Sequence, residues 1–112
     1  MKCTVKRTGE MLAEQVENAK TFGARLKGLI FRASLAPKQA LLLDPCPQIH
    51  TCFMRFNIDV VFLDKENRVV AVLENLKPWR MSQFYTQARR TLELPGGCLQ
   101  NRVQAGDELI FN

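Results

Sequence analysis

The sequence predicts an α+β fold: a single small β-rich domain, mostly antiparallel sheet or a partly closed barrel, with one or two short helices. Short apolar runs of strand length recur along the chain, bounded by Pro, Gly, Asn or Asp. A chain of 112 residues that is 46% hydrophobic and 24% charged suits one globular core. No repeat, low-complexity stretch or Gly/Ser-rich linker divides it. Residues 1–112 are therefore read as one domain.

Near the start, Cys3 to Arg7 alternates as a strand does, Thr8-Gly9-Glu10 reads as a turn, and Met11 to Val16 pairs back as a second strand. Thr21 is an N-cap candidate for a short helix over Phe22 to Lys27, ended at Gly28, after which Leu29, Ile30 and Phe31 enter the core. Ala40 to Leu43 reads as a buried strand, which Asp44-Pro45-Cys46-Pro47 stops because proline removes backbone donors. Ile49 to Phe53 and Ile58 to Leu63 follow as strands, and Asp64-Lys65-Glu66-Asn67 turns the chain into Arg68 to Leu76. Beyond a loop containing Pro78, Leu92 to Leu94 is a short strand stopped by Pro95-Gly96-Gly97. Glu108 to Phe111 then closes the sheet after the Gly106-Asp107 turn.

The longest apolar runs, Val60 to Leu63 and Val69 to Leu73, fall far short of the roughly 20 residues that cross a bilayer as a helix. The opening MKCTVKRTGEM lacks the apolar stretch of a secretory signal, so a cytoplasmic location is expected. The four cysteines, Cys3, Cys46, Cys52 and Cys98, are dispersed, which predicts reduced thiols rather than disulfides. A net charge of +5 favours acidic partners: a nucleic acid, an anionic membrane surface or an acidic protein.

The run Ile49 to Asp64, IHTCFMRFNIDVVFLD, resembles the signature of the domain of unknown function 192 family. Upstream, Arg25-Leu26-Lys27-Gly28-Leu29-Ile30-Phe31-Arg32 is similar to that family's Arg-x-x-Gly-Leu-Met-Phe-Arg block. Downstream, Leu92 to Gly97 is similar to its Leu-Glu-Leu-Pro-Ala-Gly block, and the three occur in the family's order. The resemblance spans Thr21 to Phe111. Departures are Ile30 for Met, Cys52 where an aromatic is common, and Asn57 where Pro often precedes the Ile-Asp pair; none touches His50, Met54 or Asp59. The resemblance implies a small, mostly antiparallel fold with short helices, and it carries no activity, cofactor or catalytic residue. Some small members occur beside bacterial secretion or pilus systems, which implies a partner there by association alone.

If Ile49 to Phe53 is extended, His50, Cys52 and Met54 share one face. Asp59 lies among Ile58, Val60, Val61 and Leu63, so its carboxylate points into apolar surroundings, and burying it unpaired would cost several kcal/mol. Arg25, Arg55 and His50 are the candidate partners, Arg25 first because a guanidinium holds a carboxylate with two bonds. Such a network is either a structural anchor or the wall of a ligand pocket. Cys46, His50 and Cys52, with Cys98 or Cys3, supply zinc-type ligands, but the spacing departs from familiar sites and no metal or cofactor is expected. A cysteine nucleophile served by His50 and Asp59 lacks an evident oxyanion hole. Gly28 and Gly96-Gly97 fit turns better than phosphate cradles.

Lys77 to Arg90 carries four positive charges, no negative ones and three aromatics, a mixture suited to stacking on bases while contacting phosphates. The opposing possibility is that Trp79 and Phe84 tuck into the core while the arginines stay solvated. Function is thus expected to be a non-enzymatic binding or accessory domain, with a site near His50, Met54, Asp59 and Trp79 for a protein segment or small ligand. The alternatives are an enzyme pairing His50 with Asp59 or a cysteine, and a binder of single-stranded nucleic acid through residues 77–90.

Overall fold

A computed structural model gives the fold of this protein, and it describes residues 1–19 and 35–112. The helix expected over Phe22 to Lys27, its Gly28 cap, the Leu29–Phe31 plug and Arg25 lie outside the described residues. Among the described residues there are eight strands and no helix: β1 (Cys3–Val5), β2 (Met11–Ala13), β3 (Gln15–Ala19), β4 (Gln39–Leu43), β5 (Ile58–Leu63), β6 (Val69–Leu76), β7 (Arg90–Pro95) and β8 (Leu109–Phe111). They form a three-stranded sheet, β2-β1-β8, and a five-stranded sheet, β3-β4-β7-β5-β6. Pairing is antiparallel except between β3 and β4. The sheets stay separate and do not close into a barrel. No helix of the described residues is long and apolar enough to cross a membrane.

The expected second strand, Met11 to Val16, splits at Glu14. Met11–Ala13 pairs with β1, while Gln15–Ala19 pairs in parallel with β4 in the other sheet. The break at exposed Glu14 lets the chain pass from one sheet to the other while Leu12 and Val16 both bury in the core between them. The last strand likewise joins the small sheet, against β1.

β5 is buried along its whole length, as a central strand covered on both faces must be, which explains its unalternating apolar sequence. Val61 and Leu63 pack with Leu92, Leu94 and Leu99 toward Cys3, Val5 and Leu109 of the small sheet. Ile58, Val60 and Phe62 pack on the opposite side with Leu41, Leu43, Ile49, Met54 and Ala88. The large sheet is therefore the middle layer. The small sheet covers one face, and the chain between β4 and β5, laced to the chain between β6 and β7, covers the other.

The small sheet is tied down by Arg7, whose Nε donates to Asp107 Oδ1 at 2.7 Å and whose Nη2 donates to Oδ2 at 3.1 Å, while the Gln104 amide donates to Oδ2 at 3.0 Å. The hydrogen-bonded Arg7 guanidinium holds the Asp107 carboxyl below its ordinary value of 3.8, against the opposing effect of burial. A carboxyl depressed in the folded state contributes stability above its unfolded pKa and loses it as pH falls through the folded one. The Arg7–Asp107 contribution is thus expected to be intact at neutral pH and to be lost progressively as pH falls below about 4 through the lowered carboxyl pKa. Melting temperatures of Asp107→Asn should lie below the parent's at pH 7, with the gap narrowing as pH falls below about 4; parallel profiles would refute this.

Candidate functional site

The chain from Cys46 to Asn57 and the chain from Lys77 to Arg89 run antiparallel over the second face of the large sheet. Their main chains bond directly: Cys46 N to Arg89 O, Tyr85 N to Pro47 O, Ser82 N to Ile49 O and Thr51 N to Arg80 O, at 2.7–3.0 Å. His50 and Met81 form an isolated antiparallel bridge. Ile49 to Phe53 was expected as a strand, but after His50 the chain turns, so His50, Cys52 and Met54 do not share one strand face. Pro45 and Pro47 remove ladder donors just upstream, and the tight turn that follows leaves no length for a strand.

Thr51 organises two turns at once. Its carbonyl accepts from Met54 N at 3.1 Å, closing a turn whose third residue is Phe53. The same carbonyl accepts from Trp79 N at 3.0 Å. The Thr51 hydroxyl accepts from Arg80 N at 2.9 Å and donates to Lys77 O at 2.6 Å, bridging the ends of the Lys77-Pro78-Trp79-Arg80 turn. Phe53 has φ 67° and Trp79 φ 63°, a left-handed conformation that costs a residue with a Cβ about 1–2 kcal/mol. Glycine or asparagine would normally occupy such positions. The result is that two large rings stand outward in contact, centroids 4.7 Å apart and planes at 58°.

Two further large apolar side chains on the loop that carries Trp79 are also exposed. Phe53 is 63% exposed, Trp79 59%, Met81 70% and Phe84 59%. The possibility that Trp79 and Phe84 tuck into the core is therefore excluded. His50, Arg55, Lys77 and Arg80 are also exposed, and no acidic residue occurs in 45–58 or 77–92.

Asp59 lies elsewhere. It is fully buried, and strand alternation puts its side chain with Val61 and Leu63, on the opposite face of the sheet from Met54 and Ile49. Its Oδ1 accepts from Asn75 N at 2.8 Å and Gly97 N at 2.9 Å, and its Oδ2 accepts from Leu99 N at 2.9 Å. Asn75, at φ 53°, occupies the bulge where β6 carries an extra residue opposite Asp59, which turns its amide inward. Gly97 adopts φ 83°, and a Cβ on Gly96 would meet the Asn57 carbonyl oxygen at 2.8 Å. The two glycines thus serve a turn and a close approach. Arg25, the first partner expected for Asp59, is outside the described residues, and Arg55 is exposed.

His50 Nδ1 accepts from Cys52 N at 3.3 Å, so the imidazole caps its own turn. Met54 is buried. Of the seven expected site residues Arg25 lies outside the described residues, and the other six separate: His50, Arg55 and Trp79 lie on the exposed surface with half-buried Cys52 near them in the chain, Met54 is buried, and Asp59 is across the sheet. Exposed Phe53, Met81 and Phe84, and the buried Thr51 that holds two of the turns, were not singled out as site residues by sequence. An aromatic inside the polar stretch Thr51 to Arg55 was the one signal available for Phe53.

Among the described residues no three His, Cys, Asp or Glu side chains gather as metal ligands. Burial pushes the Cys3 thiol up to about 12. Burial, aided by the Asp59 carboxylate, takes Cys98 up to about 11. Both are neutral thiols at physiological pH, unlike an activated nucleophile. Cys3 is expected to resist iodoacetamide in the native protein and to react on unfolding; rapid native labelling in a peptide map would contradict this.

The family model for domain of unknown function 192, described as "Uncharacterized ACR", matches residues 3–111. The chain belongs to this family. The match takes in almost all of the first 20 residues, which the three sequence blocks had left outside. A UPF0127 protein of Pyrococcus furiosus is 34% identical over 111 residues, covering 93% of this chain and 92% of the relative. One from Pyrococcus horikoshii is 36% identical over 102 residues, covering 85% of each. A crystal structure of a protein of unknown function from Novosphingobium aromaticivorans shares the fold, with TM-score 0.85, 21% identity and coverage of 99% of this chain and 84% of that one. A protein from Sinorhizobium meliloti does so at TM-score 0.79 and 22% identity, over 97% of this chain and 89% of its own. The family has no established function.

Proposed function

We propose that this domain is a non-enzymatic, cytoplasmic binding module whose working surface is the platform of Phe53, Trp79, Met81 and Phe84. The observation that carries this reading is the exposure of Phe53 and Trp79 on turns held by a buried threonine, at a cost in backbone strain, with Met81 and Phe84 also exposed further along the second loop. Strained conformations persist where the surroundings over-determine them, and exposed apolar patches rich in aromatics and Met mark binding surfaces. An acid/base pair of His50 with Asp59 finds no support, because Asp59 is inaccessible to substrate and its oxygens are engaged by main-chain amides.

The test compares the parent with a Phe53→Ser/Trp79→Ser double variant. Because both rings are exposed, the double variant should keep its stability within about 1 kcal/mol in urea denaturation. Partners recovered from a host extract by the parent should be missing from the variant. A secretion or pilus component would appear here. Identical recoveries by a folded variant would rule out the platform as a binding surface.

A further inference from the structure

We infer that the ligand of the platform is a single-stranded nucleic acid, its bases stacked on Phe53, Trp79 and Phe84 and its phosphates on Arg55, Lys77 and Arg80. This rests on the platform reading and deepens it. The first support is charge. Arg55 follows Phe53 by two residues, Lys77 precedes Trp79 by two, and Arg80 adjoins Trp79, with its Nη1 donating to the Trp79 carbonyl at 3.4 Å. All three cations are exposed, and the two stretches that build the surface contain no carboxylate. A surface of this sign suits a phosphate chain.

The second support is which recognition groups remain on offer. The main chains of the two loops bond to one another, so a peptide adding as a strand would find its usual partners taken. Rings, by contrast, are open. Phe53 and Trp79 meet in a tilted contact, edge toward face, and each, like Phe84, keeps more than half of its surface exposed. Stacking on such rings requires bases that are not already stacked in a duplex, which selects single strands and tolerates any sequence.

The third support is a path. Phe84, with Val70, Gln83, Thr86 and Gln87, lines a shallow groove of about 200 Å³. Thr86 and Gln87 also line a second groove, of about 730 Å³, bounded by Pro45, Pro47, Lys65 and Arg89. The exposed Gln83 and Gln87 supply amide donors and acceptors along it. Asp64 and Glu66 stand in the larger groove, so the proposed track ends before it.

Fluorescence anisotropy with labelled oligo-dT and oligo-rU of about a dozen nucleotides tests this, since sites of ~4–16 nucleotides are usual for stacking surfaces. Binding is expected to weaken steeply with salt. Trp79→Ala and Phe53→Ala should each weaken it about tenfold, in keeping with the worth of one stacked base. Arg80→Ala should flatten the logarithmic salt dependence by about one. Melting temperatures of each variant confirm that the fold is kept. Absence of salt-sensitive binding, equal affinity for duplex or for poly-glutamate, or undiminished binding by Phe53→Ala/Trp79→Ala would each overturn the inference. If oligonucleotides fail while the serine double variant still loses protein partners, the nucleic acid falls and the platform stands.

Discussion

Replacing Asp59 with alanine is expected to destabilise the domain by about 3–5 kcal/mol, enough to threaten a fold of this size. The carboxylate accepts three main-chain amides from three separate places: the bulge of β6, the turn after β7, and Leu99 beyond it. Hydrogen bonds to a charged acceptor contribute about 1.5–3 kcal/mol each, and removing the acceptor strands donors that cannot all reach water. The Leu99 amide is the most exposed to this penalty, because its bond lies wholly in the interior. Asp59→Asn should fall between parent and alanine. Its oxygen can still accept from Asn75 and Gly97, but its amide nitrogen would face the Leu99 N–H, donor against donor. Urea denaturation with an unchanged m-value measures both. An alanine variant within about 1 kcal/mol of the parent would show that water or a neighbouring group takes over the amides.

Thr51→Val is expected to cost about 2–3 kcal/mol and to disorder the platform, although the shape of the side chain barely changes. The fully buried hydroxyl both accepts from Arg80 N and donates to Lys77 O. Valine leaves both groups unpaired beside a β-branched methyl. The turn that presents Trp79 then loses its bridge, and the left-handed conformations of Phe53 and Trp79 lose the contacts that enforce them. Trp79 is the only tryptophan, so its emission reports on the platform alone. A red shift and a lowered urea midpoint in Thr51→Val, both absent in Thr51→Ser, are the expected pair of results. Stability lost with unchanged emission would separate Thr51 from the platform.

Most strands were legible because strand burial writes itself into sequence. The apolar runs of β5 and β6 and the polar turn Asp64 to Asn67 between them announce a hairpin, and the structure pairs the two strands antiparallel. The terminators at Pro45, Pro47 and Pro95 also act where proline chemistry says they must. Elsewhere, local pattern misled. Met11 to Val16 reads as one strand but serves two sheets, because the choice of partner depends on where β4 and β1 lie in space. Ile49 to Phe53 alternates well enough for a strand, yet the chain turns after His50 to let the Thr51 carbonyl and hydroxyl hold the opposite loop.

Sequence by itself determined that this is a small, β-rich domain, that Asp59 lies in apolar surroundings and therefore requires compensation, and that residues 77–90 bring cations and aromatics together. Those properties follow from composition and short-range spacing, which are fixed along the chain. Tertiary structure alone decided that Asp59 is satisfied by three distant amides and sits across the sheet from His50 and Met54. It also decided that Phe53 and Trp79 face solvent together. Main-chain donors carry no side-chain signature, and the meeting of two loops depends on hydrogen bonds between residues tens of positions apart, which no local periodicity records.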